Sequence, residues 1–250
     1  MKIGILGVGH IGKTLALKLA KAGHEVAVAN SRGPEHIDAE ALVTGAKPVT
    51  AQQAIENKEV IILSIPFNRI PDVGPLFAAV SEETIVIDTS NYYPHRDGVI
   101  DSIEAGLAES LWVMKQLGRP VAKAWNAIGS HSFETNGKPA GSPNRIAIPI
   151  ASDRDSDEKI TMQLVDETGF DAFNTGSLAD SWRQQPGAPV YCTDLTMQEM
   201  LAVIDTAERE RLPKRRDLAV SAMTERMGDS STNPDNNYSV RLSRVLYMQS

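Results

Sequence analysis

The chain has 250 residues, a formal net charge of −7, 42% hydrophobic residues and one cysteine. A chain of this size can bury a substantial core, as one large domain or one domain with a small appendage. The acidic balance excludes a broad nucleic-acid surface, Cys192 has no intrachain disulfide partner, and no apolar run approaches the roughly 20 residues that span a bilayer. Cys192 reads as a small buried hydrophobe rather than a nucleophile. The apolar N-terminus is a first strand and not a cleavable leader, so a soluble, cytoplasmic protein is expected.

The first elements carry the clearest signal. Residues 3–6 form a short apolar strand that runs straight into Gly7-x-Gly9-x-x-Gly12, and residues 13–22 read as a helix. In a dinucleotide-binding βαβ unit Gly7 allows the tight turn, Gly9 lets the backbone approach a pyrophosphate, and Gly12 lets helix and strand pack closely. The helix N-terminus then presents unpaired N–H groups and a positive dipole end to the phosphates. His10 lies in the loop, where its backbone amide matters more than its ring. Residues 25–29 read as the second strand, and Gly23-His24 stops the helix before it. An acidic residue at the end of this strand would select NAD by binding the ribose hydroxyls. The chain instead reads Asn30-Ser31-Arg32-Gly33, with a hydroxyl and a guanidinium suited to a 2′-phosphate, and the expectation is NADP(H).

Further along, residues 35–43 read as a short helix, 47–50 as a short strand, and 51–57 as a helical turn. Residues 59–65 form a strong β-run, 71–80 a crossover, and 84–88 another buried strand. Residues 104–117 are helical, and 120–125 return to the sheet. Strands alternating with helices predict an α/β, Rossmann-type, doubly wound and mainly parallel sheet. Its strand ends share one edge, where ligands bind. On that edge fall Ser64-Ile65-Pro66-Phe67-Asn68-Arg69, expected to pass under the pyrophosphate and nicotinamide ribose, then Asp88 to Pro94 with Asn91, then Ala124 to His131 with Asn126-Ala127-Ile128-Gly129-Ser130. These are small or amide-bearing residues placed to surround a nicotinamide.

Beyond Asn126 the pattern loosens. Residues 130–143 read as a loop, 145–151 as a strand, 156–168 as a helix and 170–173 as a last strand. Residues 196–211 read as a helix that stops before Pro213, and 228–237 as a polar linker. The division expected is residues 1–176 as a nucleotide-binding domain and 177–250 as a small helical segment. His24 and His95 read as surface residues, Tyr92 and Tyr93 as pocket-lining or packed. His131 reads as a loop histidine or a donor to a bound ring. Trp182 beside Arg183 reads as an anchor for the C-terminal helices more than as a cover for the cleft. No metal-ligand spacing is visible.

The glycine loop, the Asn-Ser-Arg turn, the Ser-Ile-Pro segment and the Trp-Asn-Ala-Ile segment together resemble the NADPH:coenzyme F420 oxidoreductase family. The order of these motifs, over roughly residues 1–180, is also similar to the cytosolic NADPH-binding domain of the STEAP metalloreductases, where Asp88 to Asn91 and Gly176 to Leu178 have counterparts. The resemblance implies an NADP(H) site facing a cleft in which F420, FMN or FAD stacks on the nicotinamide. By it, Val8 to Ile11 take the phosphates, Ser31 and Arg32 the 2′-phosphate, and Ser64 to Asn68, Asn91 and Asn126 to Ser130 the nicotinamide end. The F420 family often carries a lysine four residues after the arginine, and His36 stands there. The membrane haem domain of STEAP proteins has no counterpart here.

No general acid or base stands out in the sequence, and none is needed when hydride passes between two ring cofactors. The expected function is hydride transfer between NADP(H) and a flavin-like or deazaflavin acceptor. Reduction of a small imine or ketone, and a non-catalytic NADPH sensor, are the alternatives. The only partner expected is a small-molecule redox acceptor, with neither nucleic acid nor membrane. Residues 238–248 are available to build a homodimer.

Overall fold

A computed structural model describes residues 1–228 and 235–248. Eight strands are present: β1 Lys2–Leu6, β2 Glu25–Ala29, β3 Lys47–Pro48, β4 Val60–Leu63, β5 Ile85–Asp88, β6 Ala122–Lys123, β7 Ala147–Ser152 and β8 Asp171–Asn174. They form one sheet in the order β3-β2-β1-β4-β5-β6-β7-β8. The first six are parallel, β7 runs antiparallel to β6, and β8 is parallel to β7. The chain leaves β1 outward to β2 and β3, then returns to the far side of β1 as β4, so the order reverses between β1 and β4. A cleft opens outside the strand ends at such a reversal.

The central strands are apolar on both sides because helices cover both faces. Ile3, Ile5, Ile61 and Ile62 have no exposed surface. One core packs beneath the first helix, His10–Lys21, and the helix Asp155–Glu167; the other packs beneath Glu109–Leu117 and the turns around Phe67 and Phe77. The stretch read as one helix over 104–117 breaks at Gly106, whose φ of +101° a helix cannot hold.

Four further regions depart from the sequence expectation. Residues 35–43, read as one short helix, form two separate tight turns, Pro34–His36 and Ala39–Leu42. Residues 130–135, read as loop, form the helix Ser130–Thr135, which its polar composition hides; Phe133, fully buried, anchors it. The helix expected over 196–211 ends at Val203 and passes through two tight turns, Ile204–Thr206 and Arg209–Arg211. Pro213 then opens the helix Leu212–Met227 instead of closing its predecessor. A proline in the first turn loses nothing, because its missing N–H would have no partner there. Of the linker expected over 228–237, residues 229–234 lie outside the described set. Gly228 caps one helix, and Asp235 caps the next, Asn236–Tyr247, by accepting from the Tyr238 amide.

His24 is also not a free surface residue. Its side chain is 9% exposed and its Nε2 lies 2.5 Å from the Glu167 carboxylate. His95 is exposed as expected. Among the described residues no helix is long and apolar enough to cross a membrane.

Candidate functional site: two cavities on one glycine loop

The loop after β1 is fixed by backbone bonds on both sides. Gly7 N–H donates to Ala29 O and Ser64 N–H to Leu6 O, each at 2.8 Å, which ties the loop to the ends of β2 and β4. The three glycines then separate by role. A Cβ on Gly7 would lie 2.1 Å from Ser64 O, and one on Gly12 would lie 2.0 Å from Gly7 O. Both positions are crowded by backbone, and Gly7 also holds φ at +100°. A Cβ on Gly9 would meet nothing within 4 Å. Its glycine is not required by the fold; it leaves open the space that a diphosphate needs in front of the helix His10–Lys21. The residues present therefore fit the dinucleotide.

A cavity of about 630 Å³ lies on the β2 side of this loop. Gly7, Val8 and Gly9 form its floor, Asn30, Ser31 and Arg32 one wall, and Ser64, Ile65 and Pro66 the other. Asn30 holds the turn in shape: its Nδ2 donates to His36 O at 3.1 Å and its Oδ1 accepts from Arg32 N–H at 3.0 Å. That leaves the exposed Ser31 and Arg32 side chains to face a phosphate. Arg69, at the end of the segment that begins at Ser64, also lines this cavity, and so do Asp38 and Asp72, which sequence reasoning missed. Arg69 Nε lies 2.9 Å from Asp72 Oδ2 and forms the outer rim. Asp72 sits three residues past Arg69, and that spacing from a strand-end segment was the available signal.

On the opposite side of the loop lies a second cavity of about 760 Å³, with His10 in its wall. Gly129 and Ser130 reach it from the end of β6, and Tyr93 from the end of β5. Its other wall is built from the last two helices, Leu212–Met227 and Asn236–Tyr247, with Tyr191 and Tyr247 inside. The Tyr93 and Tyr191 hydroxyls are hydrogen-bonded at 2.8 Å. Burial raises both phenols above their usual value. It also pushes the Cys192 thiol up to about 12, which keeps it a neutral thiol and not a nucleophile.

Several residues expected to face the nicotinamide are placed elsewhere. Asn126 is 2% exposed, and its amide is consumed: Nδ2 donates to Asn91 Oδ1 at 3.1 Å and to Gln184 O at 2.8 Å, while Oδ1 accepts from Gln184 Nε2 at 2.9 Å. Asn91 Nδ2 in turn donates to Asn126 O at 2.8 Å. The two asparagines brace β5 against β6 beneath the cleft, beside Trp125, whose φ of +56° turns the chain sharply. Ile128 is buried in the core beneath the first helix, Ala127 is buried in a separate cluster with Tyr191 and Tyr247, and Asn68 is exposed; Ile11, expected at the phosphates, packs against the first of these cores. Of the segment 126–130, Gly129 and Ser130 line the second cavity. The Arg183 and Arg209 guanidiniums lie 4.8 and 5.5 Å from the Trp182 ring centroid, and Trp182 packs against the cluster that holds Tyr191, Leu212 and Tyr247.

Fold and cradle together define the class: a Rossmann-type, NADP(H)-dependent oxidoreductase. Residues 2–92 match the family model described as NADP oxidoreductase, coenzyme F420-dependent. The YjhV protein of Escherichia coli strain K12 is 38% identical over 104 residues, which is 40% of this chain and 72% of that one. The hypothetical protein SMa0349 from Sinorhizobium meliloti aligns over 78% of this chain and 95% of its own, at 25% identity and a TM-score of 0.66. A protein of Arthrobacter sp. FB24, assigned provisionally as an F420-dependent NADP reductase, aligns over 92% and 96% at 17% identity and a TM-score of 0.57, a likeness of fold. The chain belongs to the coenzyme F420-dependent NADP oxidoreductase family.

Proposed function

We propose that the chain passes hydride from NADPH, bound across the glycine loop, to an acceptor held in the second cavity. The observation that carries this reading is the division of space by Val8 to His10. The phosphate-facing Ser31 and Arg32 line one side, and the tyrosine-lined cavity lies on the other. NADPH supplies the hydride; the protein supplies the rest. The Gly9 backbone and the helix N-terminus hold the diphosphate, and Ser31 with Arg32 select the 2′-phosphate. Ser64 and Pro66 form the wall along the carrier's path, and the helix Asn236–Tyr247 walls the acceptor side of the second cavity, limiting water there.

Two acceptor classes are supported by different observations. A deazaflavin or flavin-like ring (F420, FMN or FAD) is supported by the family description and by the flat faces of Tyr93, Tyr191 and Tyr247. A small ketone or imine is supported by the charges around the cavity. Arg216 is 5% exposed and committed to Asp217 at 2.8 Å, while Glu134 and Asp235 add carboxylates. Each of F420, FMN and FAD carries phosphate, which such a wall does not favour. Stopped-flow NADPH oxidation against F420, FMN, FAD, quinones and a set of small ketones and imines tests the reading. Oxidation with any of them supports it, and NADPH binding without oxidation by any reduces the chain to a nucleotide sensor.

A further inference from the structure

We infer that the Tyr93 hydroxyl, backed by Tyr191, is the proton donor of a carbonyl reductase, and that the second cavity takes a small, phosphate-free carbonyl compound. The inference rests on the reading of NADPH as the hydride source. It deepens that reading by naming the acceptor class and the group that completes the reaction.

Three observations converge. Tyr93 and Tyr191 come from distant parts of the chain, the end of β5 and the loop before the last helices. Both line the cavity, with hydroxyls 2.8 Å apart. A linked pair of hydroxyls can pass a proton inward and be refilled from outside. The second observation is the charge already described: Arg216 is tied to Asp217 and lies 5.4 Å from the Tyr92 ring centroid, so the one arginine lining the cavity among the described residues is occupied. The third is the acidity of the pair. Tyr93 lies with its ring centroid 5.3 Å from Arg96 and is further influenced by Glu109 and Cys192; Tyr191 neighbours Cys192 and Tyr247. Burial outweighs the guanidinium and keeps both phenols protonated at any working pH. A phenol so weakened still protonates an alkoxide, which is the stronger base, whereas a reduced flavin or deazaflavin anion is too weak a base to need it.

The step balances. The carbonyl carbon gains the hydride as a new C–H bond, and bound NADPH leaves as NADP⁺. The carbonyl π pair moves to oxygen, which takes the Tyr93 O–H proton and becomes an alcohol. Tyr93 then takes the Tyr191 proton, and water entering the cavity returns one to Tyr191.

The test uses the full chain with Tyr93→Phe and Tyr191→Phe, each read by NADPH fluorescence titration, turnover on the ketone set, and the solvent deuterium effect on kcat. Tyr93→Phe is expected to bind NADPH within twofold of the parent and to lose roughly 100- to 1000-fold in kcat, the usual scale for a positioned acid. Tyr191→Phe is expected to lose less, and to change the solvent deuterium effect on kcat. The solvent deuterium effect on kcat is the readout that a merely structural hydroxyl pair would not move: Tyr191→Phe should change it while leaving NADPH binding as in the parent. The inference is overturned by full kcat in Tyr93→Phe, by an unchanged solvent deuterium effect in Tyr191→Phe, by oxidation of NADPH by F420 or FMN with none by ketones, or by no oxidation at all. Failure of the parent protein to bind NADPH overturns the reading beneath it as well. Reduced NADPH binding in Tyr93→Phe marks a structural residue and overturns the inference alone.

Discussion

Gly9 and Gly12 share one loop, yet added side chains would act on different properties. Gly12 sits where a Cβ would lie 2.0 Å from Gly7 O, so Gly12→Ala must push helix from strand and should cost about 1–3 kcal/mol of stability. Gly9 faces open space, so Gly9→Val should leave the unfolding midpoint unchanged. It should weaken NADPH binding roughly 100-fold by filling the space that the diphosphate needs in front of the helix N-terminus. Urea unfolding beside a fluorescence titration separates the two effects; a Gly9→Val protein with full affinity would remove the diphosphate from this loop. Glu109 offers a second residue-level test. It is 2% exposed and accepts from Tyr92 N–H at 3.2 Å. Burial, partly offset by Lys123, raises its carboxyl to about 7, with Asp88 and Arg216 also acting on it. The folded state thus holds a proton that the unfolded chain has released, and stability falls as pH rises from about 4.5 toward 7. Glu109→Gln keeps an acceptor for Tyr92 without that proton. It should flatten the slope, gaining about 1–3 kcal/mol over the parent at pH 8 and almost nothing at pH 4 in denaturant titrations.

At the scale of elements, the helix Asn236–Tyr247 is the piece on which the second cavity depends. Arg244 holds it down: Nε donates to Thr193 O at 2.7 Å and Nη2 to Asp194 O at 3.1 Å. Arg244→Ala should lower local protection of this helix in hydrogen exchange by about 1 kcal/mol and raise the acceptor KM, with NADPH affinity unchanged. Loss of NADPH affinity instead would mean that the helix is part of the nucleotide site. This element also marks where the sequence stopped being legible. The βαβ half could be read from apolar runs and glycines, because β1, β4 and β5 are buried on both faces and the fold requires Gly7 and Gly12 locally. The C-terminal half is held by contacts distant in sequence, such as Tyr93 with Tyr191, Ser132 with Asn236, and Arg244 with Thr193. No periodicity announces these. The asparagines show the same limit: Asn91 and Asn126 stand at the right strand ends for a ligand, but each other and Gln184 satisfy them first.

Across the whole molecule, one loop serves two cavities, and each half of a dinucleotide should report on its own side. The fragment 2′,5′-ADP carries the 2′-phosphate and needs only the cavity beside Arg32, so it should stabilise the fold by itself. At a hundred times its Kd the gain is about 2.7 kcal/mol. In a chain of 250 residues that amounts to a rise of about 5–10 °C in Tm. 5′-AMP, lacking that phosphate, should do less at equal concentration. Arg32→Asp should bring the two fragments level and shift the ratio of NADPH to NADH affinity toward NADH, because a carboxylate repels the 2′-phosphate and accepts from the free ribose hydroxyl. An Arg32→Asp protein that keeps both differences would place the 2′-phosphate elsewhere, with Arg69 on the opposite rim as the remaining arginine of that cavity.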